Sequence, residues 1–283
     1  MKRRPLIIIL IFVLLGISFN SVFAWGNKAH RLVNSKAIEM LPDEMGFMKS
    51  LKEYIEEKAS DADIRRDNKS DTTEWPKHYI DIDFYQEFVE GKMIFDKNEL
   101  ITLYGSETVT KMGLLPWAAL ESYNKLVQFF REKNRDNVII FSADLGHYVG
   151  DGHQPFHTLL NYDGQLTDQK GIHGRYESEM VNRYIDQISN SLTTREVKYV
   201  AKPLEYIFDF LTASNFYSPV IFTADKTSFA QAGSHGSEDY YKLLWFRTKH
   251  VTINQLSNAS GVLASLIYSA WVDAGKPSLE ELN

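Results

Sequence analysis

Residues 147–157, HYVGDGHQPFH, gather three of the chain's eight histidines and an aspartate within eleven positions. Imidazole and carboxylate are costly to bury alone, and a metal ion is a partner that suits both. His147 and Asp151 stand four apart, so a helix would present them on one face. Gly152 and Pro155 then break that helix, and His157 returns after the turn. HGRYE repeats the four-residue step with His173 and Glu177. SDADIRR supplies Asp61 and Asp63, WPKHYIDID supplies His78, and WGNKAH supplies Trp25 and His30. Each fragment has an ordinary reading beside the chemical one: DAD as a solvated turn, His78 as a hydrogen-bonded structural histidine.

The elements that must carry these residues read as helices. NKAHRLVNSKAIEML, EMGFMKSLKEYIEEKAS, LPWAALESYNKLVQFFREKN, RDNVIIFSADLGHYVGD, GRYESEMVNRYIDQI, PLEYIFDFLT and VTINQLSNASGVLASLIYSAWVDAG have helical period or helix-start signals. HYIDIDFY is an isolated strand candidate. Residues 67–113 and 159–171 read as loops. The expected fold class is all-α, a single helical domain over residues 25–283.

Residues 1–24 read instead as a secretory signal peptide: basic MKRRP, apolar LIIILIFVLLGI, then a polar stretch ending in Ala24, with cleavage before Trp25. Its removal takes three of the 31 basic residues and none of the 37 acids, so the formal charge falls from −6 to −9. That balance offers no broad basic footprint for duplex DNA. Without cysteine, an exported chain has no disulfides, and any metal must be held by nitrogen and oxygen. A chain starting at Trp25 would also offer an α-amine that deprotonates readily, with its own carbonyl beside it.

In order, Trp25, His30, Asp63, His78, His147-x3-Asp151-x5-His157 and His173-x3-Glu177 resemble the trinuclear-zinc phosphoesterases. That superfamily joins single-strand nucleases of the S-one/P-one type with bacterial zinc-dependent phospholipase C. The resemblance spans Trp25 to Glu177 and implies three zinc ions. Asp63, His78, His147 and Asp151 would hold the first. His157, His173 and Glu177 would hold the second, with positions left open for water and phosphate. Trp25, His30 and a bridging Asp151 would hold the third. It further implies phosphodiester hydrolysis by a metal-activated water that Asp63 orients or deprotonates. A basic residue near Asp63 would contact phosphate, with Arg66 favoured and Arg65 open. No obligate protein partner is evident, and the protein would be secreted or periplasmic.

The two branches divide on finer features. The short Trp25–His30 spacing, VGDGHQPFH, HYID and Arg66 look nuclease-like, with single-stranded nucleic acid or nucleotides as substrate. Glu177, DAD in place of Trp-Ala-Asp, Ser178 after Glu177 and the short gap from His157 to His173 point toward phospholipid. Tyr79 stands where either branch carries an aromatic, which in a nuclease stacks a base. The nuclease reading is favoured. His153 suggests a supporting role rather than a ligand's, Asp81 either orients His78 or caps, and His235 and His250 have no evident partner.

Overall fold

The computed structural model describes residues 26–68, 70 and 72–278, so residues 1–24 and Trp25 lie outside the described residues. Every regular element among the described residues is helical. In order they are α1 (Gly26–Met40), α2 (Gly46–Lys58), α3 (Asp61–Arg66), α4 (Gln86–Val89), α5 (Lys97–Tyr104), α6 (Ser106–Lys111), α7 (Leu115–Arg131) and α8 (Arg135–Gly152). Then follow α9 (Ile172–Gly174), a π-helical turn (Arg175–Met180), α10 (Val181–Ser191), α11 (Pro203–Asn215), α12 (Ser218–Ala232) and α13 (Glu238–Asp273). Short 3-10 turns at Trp75–His78 and Pro155–Thr158 carry site residues.

One continuous apolar cluster runs from Ala29 to Trp271 and joins all the long helices. α13 is its axis, and α1, α7, α8 and α12 pack around it. Its start is capped by Ser237, whose side chain accepts the Tyr240 N–H. α1 buries Ala29, His30, Val33, Asn34, Ala37 and Ile38, a stripe at three- and four-residue steps. His30 therefore lies on the core face of its helix. From Ser142 to Gly152, α8 is buried all round, so His147 and Asp151 sit inside the bundle. Gly146 permits this. A Cβ there would lie 2.1 Å from Asn34 Oδ1, so any side chain would have to displace the buried Asn34 side chain of α1.

The loop expected over 67–113 is instead built from short helices, α4, α5 and α6 with the turn at Trp75–His78. The strand candidate HYIDIDFY is no strand. Its start closes the 3-10 turn, and Ile80 N–H donates to the His157 carbonyl while Asp81 N–H donates to that of Met112. Those acceptors belong to a turn and a helix end, so no ladder forms. Gly113 fixes this crossing at φ 97°, with Tyr79 O only 2.1 Å from where a Cβ would stand. Residues 159–171 do form a looped excursion of turns. α12 carried no periodic signal in the sequence reading.

Candidate metal centre

Nearly all the expected ligands meet in one buried region. His30, Asp63, His147, Asp151 and Glu177 have no exposed surface, and His78 and His157 are almost fully buried. Three groups have converging ligand atoms: His30 with Asp63 and His147, His78 with His147 and Asp151, and His157 with His173 and Glu177. The last is the set expected for a second ion. The first two share His147, and Asp151 stands between them. Its Oδ2 is 3.0 Å from His78 Nδ1 and 3.3 Å from His147 Nε2, while its Oδ1 is 3.4 Å from His30 Nε2. A bridging role for Asp151 is consistent with that position. Asp63 Oδ1 lies 3.6 Å from His147 Nε2 and 3.7 Å from His78 Nδ1. Trp25 lies outside the described residues.

Backbone carbonyls orient two of the rings. His147 Nδ1 meets the Ala59 carbonyl at 2.9 Å, and His157 Nδ1 meets that of His78 at 2.6 Å. Each contact makes Nδ1 the donor and leaves the Nε2 lone pair facing inward, the usual arrangement of a metal-bound histidine. Inward nitrogens then approach in pairs: His147 Nε2 to His78 Nδ1 at 3.1 Å, and His173 Nε2 to His157 Nε2 at 3.1 Å. His30 stacks on His147 with ring centroids 4.0 Å apart.

Whether a cation fits is answered by the atoms left without hydrogen bonds. Both ring nitrogens of His30, both oxygens of Asp63, His78 Nε2, Asp151 Oδ1 and Glu177 Oε1 are buried with no hydrogen-bond partner. Orphaned carboxylate oxygens are too costly to bury without a compensating charge. Arg66 answers part of this for Asp63, with Nη1 2.6 Å from Oδ1 as an ion pair. The remainder fits metal ions held by imidazole and carboxylate, the nitrogen and oxygen donors that zinc accepts.

The electrostatics agree. Burial works against charging His147, but Asp151 and Asp63 outweigh it and push its pKa up to about 9. Burial likewise opposes His157, which Glu177 and Asp151 raise to about 9. Burial would raise Glu177, yet His173 and His157 pull it down to about 2. Asp151 is held well below the carboxylate range against its burial, chiefly by His147 and His157. Asp151 and Glu177 are thus kept ionised by positive charge beside them, which protonated imidazoles or a metal ion can supply.

Around the cluster, Arg66 and not Arg65 turns inward. Its side chain is 7 % exposed against 38 % for Arg65, which pairs with Asp144 at 3.0 Å and Glu74 at 3.4 Å. Tyr79 is half-buried. Its hydroxyl donates to the Lys111 carbonyl at 3.0 Å, and burial pushes its pKa up to about 12. Asp81 is not placed against His78. The carboxylate nearest the His78 Nε2 is Glu74, at 3.8 Å. Glu74 accepts from Tyr148 OH at 2.5 Å and pairs with Lys77 at 2.9 Å. His153 donates from Nδ1 to the Val149 carbonyl and stacks on Phe210, a structural role. His235 stacks on Phe229 beside Asp225, and His250 is exposed on α13.

Three supporting groups had escaped the sequence reading: Glu74, Gln154 and the Arg175 clamp. Gln154 donates to Glu177 Oε2 at 3.0 Å. Arg175 binds the Gln169 and Lys170 carbonyls, Tyr240 OH and Asp225, tying the segment of His173 and Glu177 to α12 and α13. HQP and GRYE hinted at two of them, since a glutamine and an arginine inside ligand motifs invite a supporting role. Glu74 had only its four-residue step to His78. No protein-family model matches the chain, and no curated protein matches it either.

Proposed function

We propose that the protein is a secreted zinc-dependent phosphodiesterase, an endonuclease or 3′-nucleotidase that hydrolyses P–O bonds of single-stranded nucleic acid. One observation carries this reading. Buried, orphaned imidazole and carboxylate atoms converge in adjoining groups around Asp151, beside an inward-turned arginine. His30, Asp63, His78, His147 and Asp151 would hold the ions of one part, and His157, His173 and Glu177 that of the other. Bound zinc would supply Lewis acidity toward phosphoryl oxygens and a water of lowered pKa.

The chain's own groups do the rest. Asp63 Oδ1 is taken by Arg66, but Oδ2 has no hydrogen-bond partner and is available to orient an attacking water and take its proton. Arg66, whose Nη1 is held on Asp63 and whose Nε and Nη2 donate to Asp67, would exchange the Asp67 contact for the equatorial oxygens of the phosphoryl group, which a planar guanidinium binds in two-point fashion. Tyr79 offers a ring fixed by its hydroxyl bond, suited to stack a base. His147 and His157 keep their lone pairs inward because backbone carbonyls take their other nitrogens.

A second reading, zinc-dependent phospholipase C, is favoured by the rim. Trp75 is 57 % exposed next to Arg66, whose guanidinium lies 5.7 Å from the Trp75 ring centroid. An apolar rim beside a phosphate-binding group suits a lipid as well as a base.

The test supplies purified protein with single-stranded DNA, RNA, a 3′-nucleotide and phosphatidylcholine in parallel, with zinc measured by elemental analysis. Cleaved nucleic acid and untouched lipid are expected, and His147→Ala should lose zinc and activity together. Diacylglycerol release with intact nucleic acid would select the phospholipase. A protein without zinc, or a fully active His147→Ala variant, would overturn both.

A further inference from the structure

Gln154 lies between Asp151 and His157 and is completely buried. Both ends of its amide are engaged. Oε1 accepts the Phe156 N–H at 2.8 Å, and Nε2 donates to Glu177 Oε2 at 3.0 Å. The first bond fixes the orientation of the second, because only the oxygen can accept from a backbone N–H. Nε2 must then point at Glu177. Of the two Glu177 oxygens, Oε2 has this donor and also meets His173 Nε2. Oε1 has no hydrogen-bond partner and stands 3.4 Å from His157 Nε2.

A glutamate's last torsion is broad, so its backbone does not decide which oxygen faces which neighbour. The carboxylate plane needs an external anchor. Phe156, at the start of the His157 turn, supplies the fixed point, and Gln154 transmits it to a residue 23 positions later. We propose that Gln154 is a positioning residue, turning the Glu177 carboxylate so that Oε1 is the atom offered to a cation shared with His157 and His173. This rests on the metal-centre reading above. Groups that orient metal-bound carboxylates typically change metal affinity by about 10- to 100-fold when removed.

The experiment measures zinc affinity by competition with a chromophoric chelator. It compares the unaltered protein with Gln154→Met, Glu177→Gln and the double variant. Methionine has nearly the shape of glutamine and cannot donate. One class of bound zinc should weaken by about 10- to 100-fold in Gln154→Met while the remaining zinc is unchanged. In the Glu177→Gln background the Gln154 change should move zinc affinity no further, because both act through one carboxylate. Unchanged affinity in Gln154→Met, or losses that simply add in the double variant, would overturn the proposal. Gln154→Asn is the companion variant. Asparagine can keep the turn bond to Phe156 N–H but is one methylene too short for Glu177. It should fold normally and lose the same zinc; normal zinc affinity there would also overturn the proposal. If the unaltered protein binds no zinc, the metal-centre reading itself fails, and this inference with it.

Discussion

At the level of single residues, the candidate ligands were legible because a metal restricts its ligands to few residue types at few spacings. His147, Asp151 and Glu177 announced themselves in the sequence, and all three are buried where their atoms converge. The choice between Arg65 and Arg66 was not legible. Which of two neighbours turns inward depends on where α3 meets its surroundings, and here Asp144 and Glu74 draw Arg65 away. Arg66 then gives a sharp prediction. Arg66→Lys keeps a charge near Asp63 but loses the planar fork, so on the proposed phosphodiesterase reading turnover should fall about a hundredfold. Zinc content should stay unchanged, and a normal rate in a zinc-replete Arg66→Lys protein would remove the arginine from the phosphate site. Asp81 carries a second prediction. Burial first, then the neighbouring charge of Asp83, raises its pKa to about 7. An acid with a raised folded-state pKa holds its proton more tightly folded than unfolded. Stability attached to that proton is present below about pH 4 and is lost as pH rises toward 7. Asp81→Asn should therefore gain up to about 4 kcal/mol over the unaltered protein at pH 8 and nothing at pH 4. Denaturant titrations of both proteins in excess chelator would measure this, and equal differences at the two pH values would refute it.

Among the elements, long amphipathic helices such as α1, α7 and α13 were readable because a single periodic face meets the core. The helices within 67–113 were not. α4 to α6 are at most eight residues long, too short to show a periodic face of their own. The same holds for residues 192–202, which the structure lays along α13. There Thr193, Lys198 and Val200 N–H donate to the hydroxyls of Ser257, Ser265 and Ser269. The partners of these serines lie 64 to 69 positions away, which no local pattern encodes. Two elements set the candidate metal centre, and each can be disturbed alone. Gly146→Ala would force its methyl into Asn34, and since Asn34 is one turn beyond His30, α1 would shift with its ligand. A loss of about 1–3 kcal/mol in stability is expected, with weakened zinc binding. Retained stability and full zinc occupancy would show that the helices tolerate separation. On the other side, Asp225→Asn removes the charge that holds Arg175, which spans the turn carrying His173 and Glu177. Zinc bound by those two residues should be lost first in a chelator titration, and loss in the reverse order would contradict the clamp.

For the molecule as a whole, the absence of cysteine leaves nitrogen and oxygen as the donors any cation would meet, and net acidity offers no broad basic face. How the pieces close over one another was beyond sequence alone, because His30 and Asp151 are 121 positions apart and meet only through the packing of α1 on α8. That closure bears on where the chain begins. α1 starts at Gly26, and His30, one helical turn on, lies 3.4 Å from Asp151 with both ring nitrogens unsatisfied. Gly26 is itself buried, with the Asn182 side chain 3.4 Å from where a Cβ would stand. If export processing leaves Trp25 first, its free amine would be a donor for the cation that His30 and Asp151 share. An added residue would turn that amine into an amide, which is no base, while the remaining ligand groups would keep their own donors. A protein that begins Met-Trp25, with its methionine retained, should bind fewer zinc ions and hydrolyse phosphodiesters far more slowly than one that begins at Trp25. Mass spectrometry of the N-terminus, with zinc content and rate for both forms, makes the comparison. Equal zinc and equal rates would reduce Trp25 to an ordinary aromatic residue and leave His30 to find its cation with Asp63, Asp151 and His147 alone.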